Sequence, residues 1–296
     1  MPEKSVAERV GGAPISWGVC EVPDWGYELP PDRVLAEMSS LGLRATELGP
    51  TGYLGATAHD VRAQLEGHGL RLIGGFLPVT MHTDPALDLS QARAAMETLA
   101  AGGASVVVLA AQSSDGSYDR KVRLTEDEWP VFFANLARLQ ALAGEVGLVC
   151  TLHPHVGTAI EDRESVLRLI SSSDVLICLD TGHLVIGGMQ PQELLDLAAG
   201  RVAHVHLKDV RLSVAATVAG GDTSYIGAVR AGLYTPLGAG DLDITAIVAS
   251  LEAAGYQGWY VLEQDCALFA DPGAGTGPVD GVRQSIGFLS RAVVHQ

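Results

Sequence analysis

Residues 148–183 read LVCTLHPHVGTAIEDRESVLRLISSSDVLICLDTGH. Two short apolar runs, 148–152 and 175–179, flank a stretch of helical period at 161–170, and each run leads into imidazole or carboxylate side chains. Runs without polar alternation fit strands buried on both faces, as parallel sheets require. A helix between two such strands is the crossover that parallel pairing needs. The unit repeats outward in both directions. Further candidate strands lie at 13–17, 45–48, 70–76, 105–110, 202–207 and 259–263, and further helices at 31–41, 60–68, 90–101, 125–146, 191–198, 244–254 and 279–294. In the 125–146 helix, Trp129, Phe132, Phe133, Leu136, Leu139 and Leu142 fall on one stripe at three- and four-residue steps. Thr125 with Glu128 makes a capping-box pattern at its start, and Gly147 stands just past its end.

Eight strand–helix units match a closed (β/α)8 TIM barrel, whose usual size is roughly 250 residues. A doubly wound sheet also alternates, but its glycine-rich nucleotide signature is missing: Gly-Ala-Gly-Thr-Gly at 273–277 follows no strand and reads as a loop. The expected organisation is an N-terminal tail at 1–12 and a single barrel domain at 13–296. Only 211–243, rich in Gly, Thr and Ala, lacks a clear helical stripe. It reads as a long loop after the seventh strand, on the face where barrel active sites sit, with Tyr225, Arg230 and Tyr234 as candidates for a lid or a contact with a neighbouring molecule.

Composition narrows the partners. The chain has 296 residues, of which 47% are hydrophobic and 18% charged, enough apolar material to exclude disorder as its main state. Its formal charge of −16 leaves no basic face for nucleic acid and argues against anionic membranes. No apolar run approaches a bilayer span, and residues 1–10 lack the hydrophobic core of a signal peptide. Cys20, Cys150, Cys178 and Cys266 are far apart, and three of them lie in or beside apolar runs, as buried thiols in a reducing compartment would. The expected location is cytoplasmic.

Barrel enzymes carry their functional groups at the C-terminal ends of strands. Here four consecutive strands end in imidazole or carboxylate groups: His153-Pro154-His155, Asp180-Thr181-Gly182-His183, His204-Val205-His206-Leu207-Lys208-Asp209 and Glu263-Gln264-Asp265. Side chains repeat every two residues along a strand, so His204, His206 and Lys208 share one face, as do His153 and His155. One group per strand gives His153, Asp180, His206 and Glu263. This nitrogen and oxygen set suits Mn2+, Co2+ or Zn2+ better than Mg2+ or Ca2+, with Mn2+ or Co2+ favoured. Taken singly, a strand-end histidine is more often a hydrogen-bonded structural residue, and Asp180 alone would serve to cap the next turn. His59, His68, His82 and His295 have no such company and are expected at the surface or in loops.

The same residues carry a family resemblance. Ala13-Pro14-Ile15-Ser16-Trp17-Gly18, Glu47-Leu48-Gly49-Pro50, His153-Pro154-His155-Val156-Gly157-Thr158, Leu179-Asp180-Thr181-Gly182-His183-Leu184, the His204–Asp209 piece and Pro236-Leu237-Gly238-Ala239-Gly240-Asp241 together resemble the sugar isomerase/epimerase superfamily with its xylose-isomerase-like barrel. The resemblance runs from about Gly12 to Leu289, and the His-Pro-His-x-Gly-Thr piece points within it to the inosose dehydratase branch. Epimerases of the superfamily use carboxylates on the fifth and eighth strands to pass a proton across a carbon. His153 stands at the first of those positions, which implies a lyase instead and leaves both His153 and His155 open as the fifth-strand ligand.

The implied reaction is a metal-assisted β-elimination of water from a cyclic keto-polyol such as 2-keto-myo-inositol. The ion held by His153, Asp180, His206 and Glu263 would stabilise the enediolate formed as the α-proton leaves. His155 is the expected base, with Lys208 or His183 stabilising the oxyanion or protonating the departing hydroxide. Trp17, Glu47, Gln112 and Arg230 are expected to bind substrate, although Trp17 equally suits the barrel core. A keto-sugar isomerase or epimerase, a keto-glycoside lyase and a polyol-binding sensor without turnover are the competing readings. The expected partner in each is a small keto-polyol or keto-sugar, and a homo-oligomer stays open.

Overall fold

A computed structural model describes residues 5–294. His295 and the first four residues of the expected tail lie outside them. The barrel strands are β1 (Val10–Gly12), β2 (Ala45–Glu47), β3 (Arg71–Gly74, resumed at Phe76–Val79), β4 (Val106–Ala111), β5 (Val149–Leu152), β6 (Leu176–Asp180), β7 (Val202–Leu207) and β8 (Tyr260–Leu262). All pair in parallel, each with its sequence neighbours, and β1 closes the ring on β8 through Val10–Tyr260 and Gly12–Leu262. The break in β3 falls at Gly75, where a Cβ would sit 2.6 Å from Leu99. The ladder runs through the break because Val108 N–H donates to Gly75 O at 3.0 Å.

Helices α1 (Pro31–Ser40), α2 (Ala58–Gly67), α3 (Ser90–Gly102), α4 (Glu128–Glu145), α5 (Arg163–Ser172), α6 (Thr181–Ile186), α7 (Pro191–Ala198), α8 (Leu212–Ala219), α9 (Tyr225–Arg230), α10 (Ile244–Ala253) and α11 (Pro278–Val294) complete the chain. The α4 stripe is buried at Trp129, Phe132, Leu136, Leu139 and Leu142. Glu128 accepts from Thr125 N–H and Oγ1, half of the expected capping box, and Gly147 adopts φ 81° beyond its end. The principal core lies between the strand ring and the helices. No helix among the described residues is long and apolar enough to cross a membrane, and all four cysteines are free thiols.

Two expectations are corrected. The first strand is Val10–Gly12, inside the supposed tail, and residues 14–17 form a 3-10 turn that ends at Gly18 with φ 80°. Pro14 has no N–H to give a ladder, whereas Gly11 fits the crowded barrel interior, a Cβ there lying 2.8 Å from Ile73. Glycines carry no hydropathy signal, so the strand was invisible to periodicity. The second correction concerns 211–243, which holds α8 and α9 rather than a bare loop. Its Tyr234–Thr235 also pairs antiparallel with Asp209–Val210 just beyond β7. Val210, Ala215, Tyr225, Ala228, Val229, Leu233 and Tyr234 pack with Trp25, Tyr118, Val156 and Ile186 into a second small core.

Asp209 pins this layer to the barrel. Its buried carboxylate accepts from the backbone N–H of Val210, Gly238, Gly240 and Leu242 at 3.0, 2.9, 3.0 and 3.1 Å. Asp209→Ala leaves these donors unpaired and is expected to lower unfolding stability by about 3 kcal/mol, read from denaturant melts. A loss below about 1 kcal/mol would mean that water takes over all four bonds.

Candidate active site

The strand pleat decides which side chains reach the barrel axis. In β7, Val205 and Leu207 pack outward into the principal core, so His204 and His206 face inward, followed by Lys208. Asp180 ends β6, Glu47 ends β2, and His153 and Glu263 lie one residue past β5 and β8. All these side chains are buried. Glu47, His153, His155, His206, Lys208, Glu263 and Asp265 line one cavity of about 170 Å³, with Ile15, Phe76, Tyr118 and Tyr225 among its apolar and aromatic walls.

Asp180 divides its oxygens between fold and site. Oδ1 accepts from the backbone N–H of Gly182 and His183, both at 2.8 Å, as the N-cap of α6. Oδ2 accepts from Lys208 Nζ at 2.9 Å and lies 3.7 Å from both His153 Nε2 and His206 Nδ1. Lys208 Nζ also donates to Glu263 Oε2, with Asp265 Oδ1 at 3.3 Å. Glu47 Oε1 meets two imidazoles, His204 Nε2 at 2.6 Å and His206 Nε2 at 3.0 Å.

The groups titrate apart. Burial opposes the charge on Asp180, but Lys208 beside it holds the carboxyl well below its usual range. Burial likewise opposes charge on Glu263, where His206 and Lys208 prevail and lower it. Burial disfavours a charged His206, yet Cys178, Glu263 and Glu47 raise it well above the ordinary imidazole value. Asp265 moves the other way, pushed up to about 6 by burial and by the charges of Glu263 and Asp180. Burial keeps His153 neutral and brings His155 down to about 4, assisted in both cases by Lys208.

The donor chemistry fits a divalent cation. His153, Asp180 and His206 offer ligand atoms within 4.8 Å of one another, and Glu263 Oε2 lies 3.1 Å from His206 Nδ1. His206 Nδ1 is buried there without a hydrogen bond, as is His153 Nδ1. Such orphaned nitrogens cost about 1–3 kcal/mol each, and a cation between carboxylates would engage the one on His206.

His155 lies among Phe76, Tyr118 and His183, its ring 3.8 Å from that of His183. Its Nδ1–H donates to Val156 O at 2.7 Å, which leaves Nε2 with the lone pair. His183 sits behind it: its Nδ1 accepts from Val156 N–H at 3.3 Å, and it is not part of the cavity wall. That position suits orienting His155 rather than the expected contact with substrate.

Three expected substrate-binding residues lie elsewhere. Trp17 is fully buried in the principal core and donates Nε1–H to Glu37 at 2.8 Å, because the 3-10 turn points it away from the axis. Gln112 follows the end of β4 and leaves the cavity wall with the turn toward Gly116. Arg230 donates to the carbonyls of Asp24 and Trp25, holding the loop after β1 against α9. His82, expected at the surface or in a loop, is in a loop but buried. The expected set omitted His204 and Asp265. Both stand two residues from a chosen ligand, His204 on the same face of β7 and Asp265 just past β8, which is the signal that could have found them. Tyr225, expected in a lid, donates its hydroxyl to Asp265 Oδ2 at 2.8 Å.

Comparison with known proteins adds the following. Residues 35–292 match the family described as xylose isomerase-like TIM barrel. The inosose dehydratase of Geobacillus thermodenitrificans (strain NG80-2) is 33% identical over 273 residues, covering 88% of this chain and 91% of that protein. That of Clostridium perfringens (strain 13 / Type A) is 31% identical over 273 residues, again 88% and 91%. Among solved structures, an L-ribulose 3-epimerase superposes with a TM-score of 0.69 at 16% identity, covering 97% of this chain and 95% of that one. The IOLI protein with a binding zinc atom superposes with a TM-score of 0.68 at 14% identity, covering 97% and 98%.

The ion-pair geometry generates a stability test. Lys208→Met removes the cation shared by Asp180, Glu263 and Asp265 and is expected to lower stability by about 3–5 kcal/mol, measured by denaturant unfolding. A loss under about 1 kcal/mol would show that the carboxylates do not depend on this ammonium.

Proposed function

The chain belongs to the xylose isomerase-like TIM barrel family, and from that premise we propose that it is a divalent-metal-dependent hydro-lyase that dehydrates a cyclic keto-polyol, 2-keto-myo-inositol or a close analogue. The inosose dehydratase relatives support the reaction type. The observation that carries the reading is a base and a set of proton-bearing groups on different walls of one cavity: His155 with a free Nε2 on the loop after β5, and Lys208 with the Tyr225–Asp265 pair by β7 and β8.

His153, Asp180, His206 and Glu263 would hold the metal, with Mn2+ or Co2+ the favoured ions. When bound, the ion supplies Lewis acidity toward the substrate carbonyl and an adjoining hydroxyl. The protein does the rest. His155 Nε2 accepts the α-proton; its fixed tautomer and aromatic surroundings keep that lone pair aimed into the cavity. Lys208 keeps a positive charge beside the oxygen that becomes anionic. The carbon–oxygen bond to the β-hydroxyl breaks, and Asp265 in its protonated form, oriented by Tyr225, supplies the proton that turns the departing hydroxide into water. The His155 proton then passes to Asp265, directly or by exchange through solvent, which restores the starting state. Phe76, Tyr118 and the small core formed by α8 and α9 shield this exchange from bulk water.

The test is turnover of 2-keto-myo-inositol by protein stripped of metal and then given Mn2+ or Co2+, with the product identified by NMR. A dehydrated product, formed as an enol that tautomerises to the 1,2-dione and appearing only with metal, is expected. His206→Ala should abolish it, and His155→Gln should lower kcat by about 10²- to 10⁴-fold. An epimerised ketone would move the chain to the isomerase reading, and full activity in His155→Gln would remove that residue as the base.

A further inference from the structure

Glu47 was expected to bind substrate, yet its geometry serves another group. Its Oε1 lies within hydrogen-bond distance of His204 Nε2 and His206 Nε2, and a carboxylate can only accept. Both imidazoles therefore carry their proton on Nε2, and for His206 this leaves Nδ1 as the atom turned toward Glu263 Oε2 and Asp180 Oδ2. Two ladders of the barrel shift register, and both shifts fall on this arrangement. One lies between Thr46 and Glu47, where β2 pairs with β3, and the other at Cys178, which pairs with His204 instead of Ala203. Such bulges re-aim a side chain at a functional site.

We infer that Glu47, braced by His204, is the positioning residue that fixes the tautomer and ring orientation of His206, so that Nδ1 is presented to a divalent cation. Glu47 is then a part of the metal site that touches no metal. The inference rests on the metal-binding half of the reading above and is independent of which substrate is turned over. A carboxylate behind a ligating histidine raises its basicity and restricts its swing, and the loss of such a partner weakens metal binding by about 10- to 100-fold.

The experiment measures Zn2+ affinity of the full chain by competition with a chromophoric chelator, with no substrate present. Glu47→Gln, which keeps an acceptor oxygen but removes the negative charge that makes His206 more basic, should bind Zn2+ about 10- to 100-fold more weakly. His204→Leu should also weaken binding, while His204→Gln keeps an N–H aimed at Glu47 and should restore affinity to within about threefold of the parent. If Glu47→Gln does not fold, the Leu and Gln variants of His204 carry the test between them. Kinetics on the proposed substrate should show kcat falling in Glu47→Gln with KM nearly unchanged. Unchanged Zn2+ affinity with a raised KM would make Glu47 a substrate contact and overturn the inference alone. Absence of Zn2+ binding by the parent protein would overturn it together with the metal site.

Discussion

Buried carboxylates need compensating charge, and the upper half of this barrel is arranged around that need. Glu47, Asp180, Glu263 and Asp265 are all buried, and an isolated buried carboxylate is too costly to keep ionised. The protein answers with one ammonium and several imidazole nitrogens. Lys208 serves three of the carboxylates, and His204 and His206 serve the fourth. The field that favours a proton on His206 also favours a metal cation beside it. Reactivity and stability at the site therefore share one electrostatic origin.

Much of this was legible before any coordinates. The alternation of apolar runs and helical stripes reports a parallel sheet because both faces of each strand are covered, which is a property of the strand itself. The clustering at strand ends was legible for a similar reason: a two-residue period sends His206 inward once Val205 and Leu207 are placed in the core. The (β/α)8 architecture and the convergence of His153, Asp180, His206 and Glu263 follow from those two regularities.

The rest depended on tertiary contacts that no local pattern encodes. β1 is two-thirds glycine, selected by the crowding of Ile73 and Met38, and crowding leaves no periodic trace. Trp17 is adjacent to a motif that points at the site, yet a single 3-10 turn carries it to the other side of the sheet. The layer of α8 and α9 packs on partners, Trp25, Tyr118 and Val156, that come from three other loops. Glu47 could be placed at a strand end from the sequence, but its attachment to β7 across the barrel could not.

Asp180 deserves a last consequence for anyone who would re-engineer this scaffold. One of its oxygens starts a helix and the other holds the Lys208 ammonium, so the position cannot be changed without also unpinning α6 from β6. His153 and Glu263 carry no helix-capping duty. Of the four proposed ligand positions, these two can therefore be exchanged without disturbing the start of a helix.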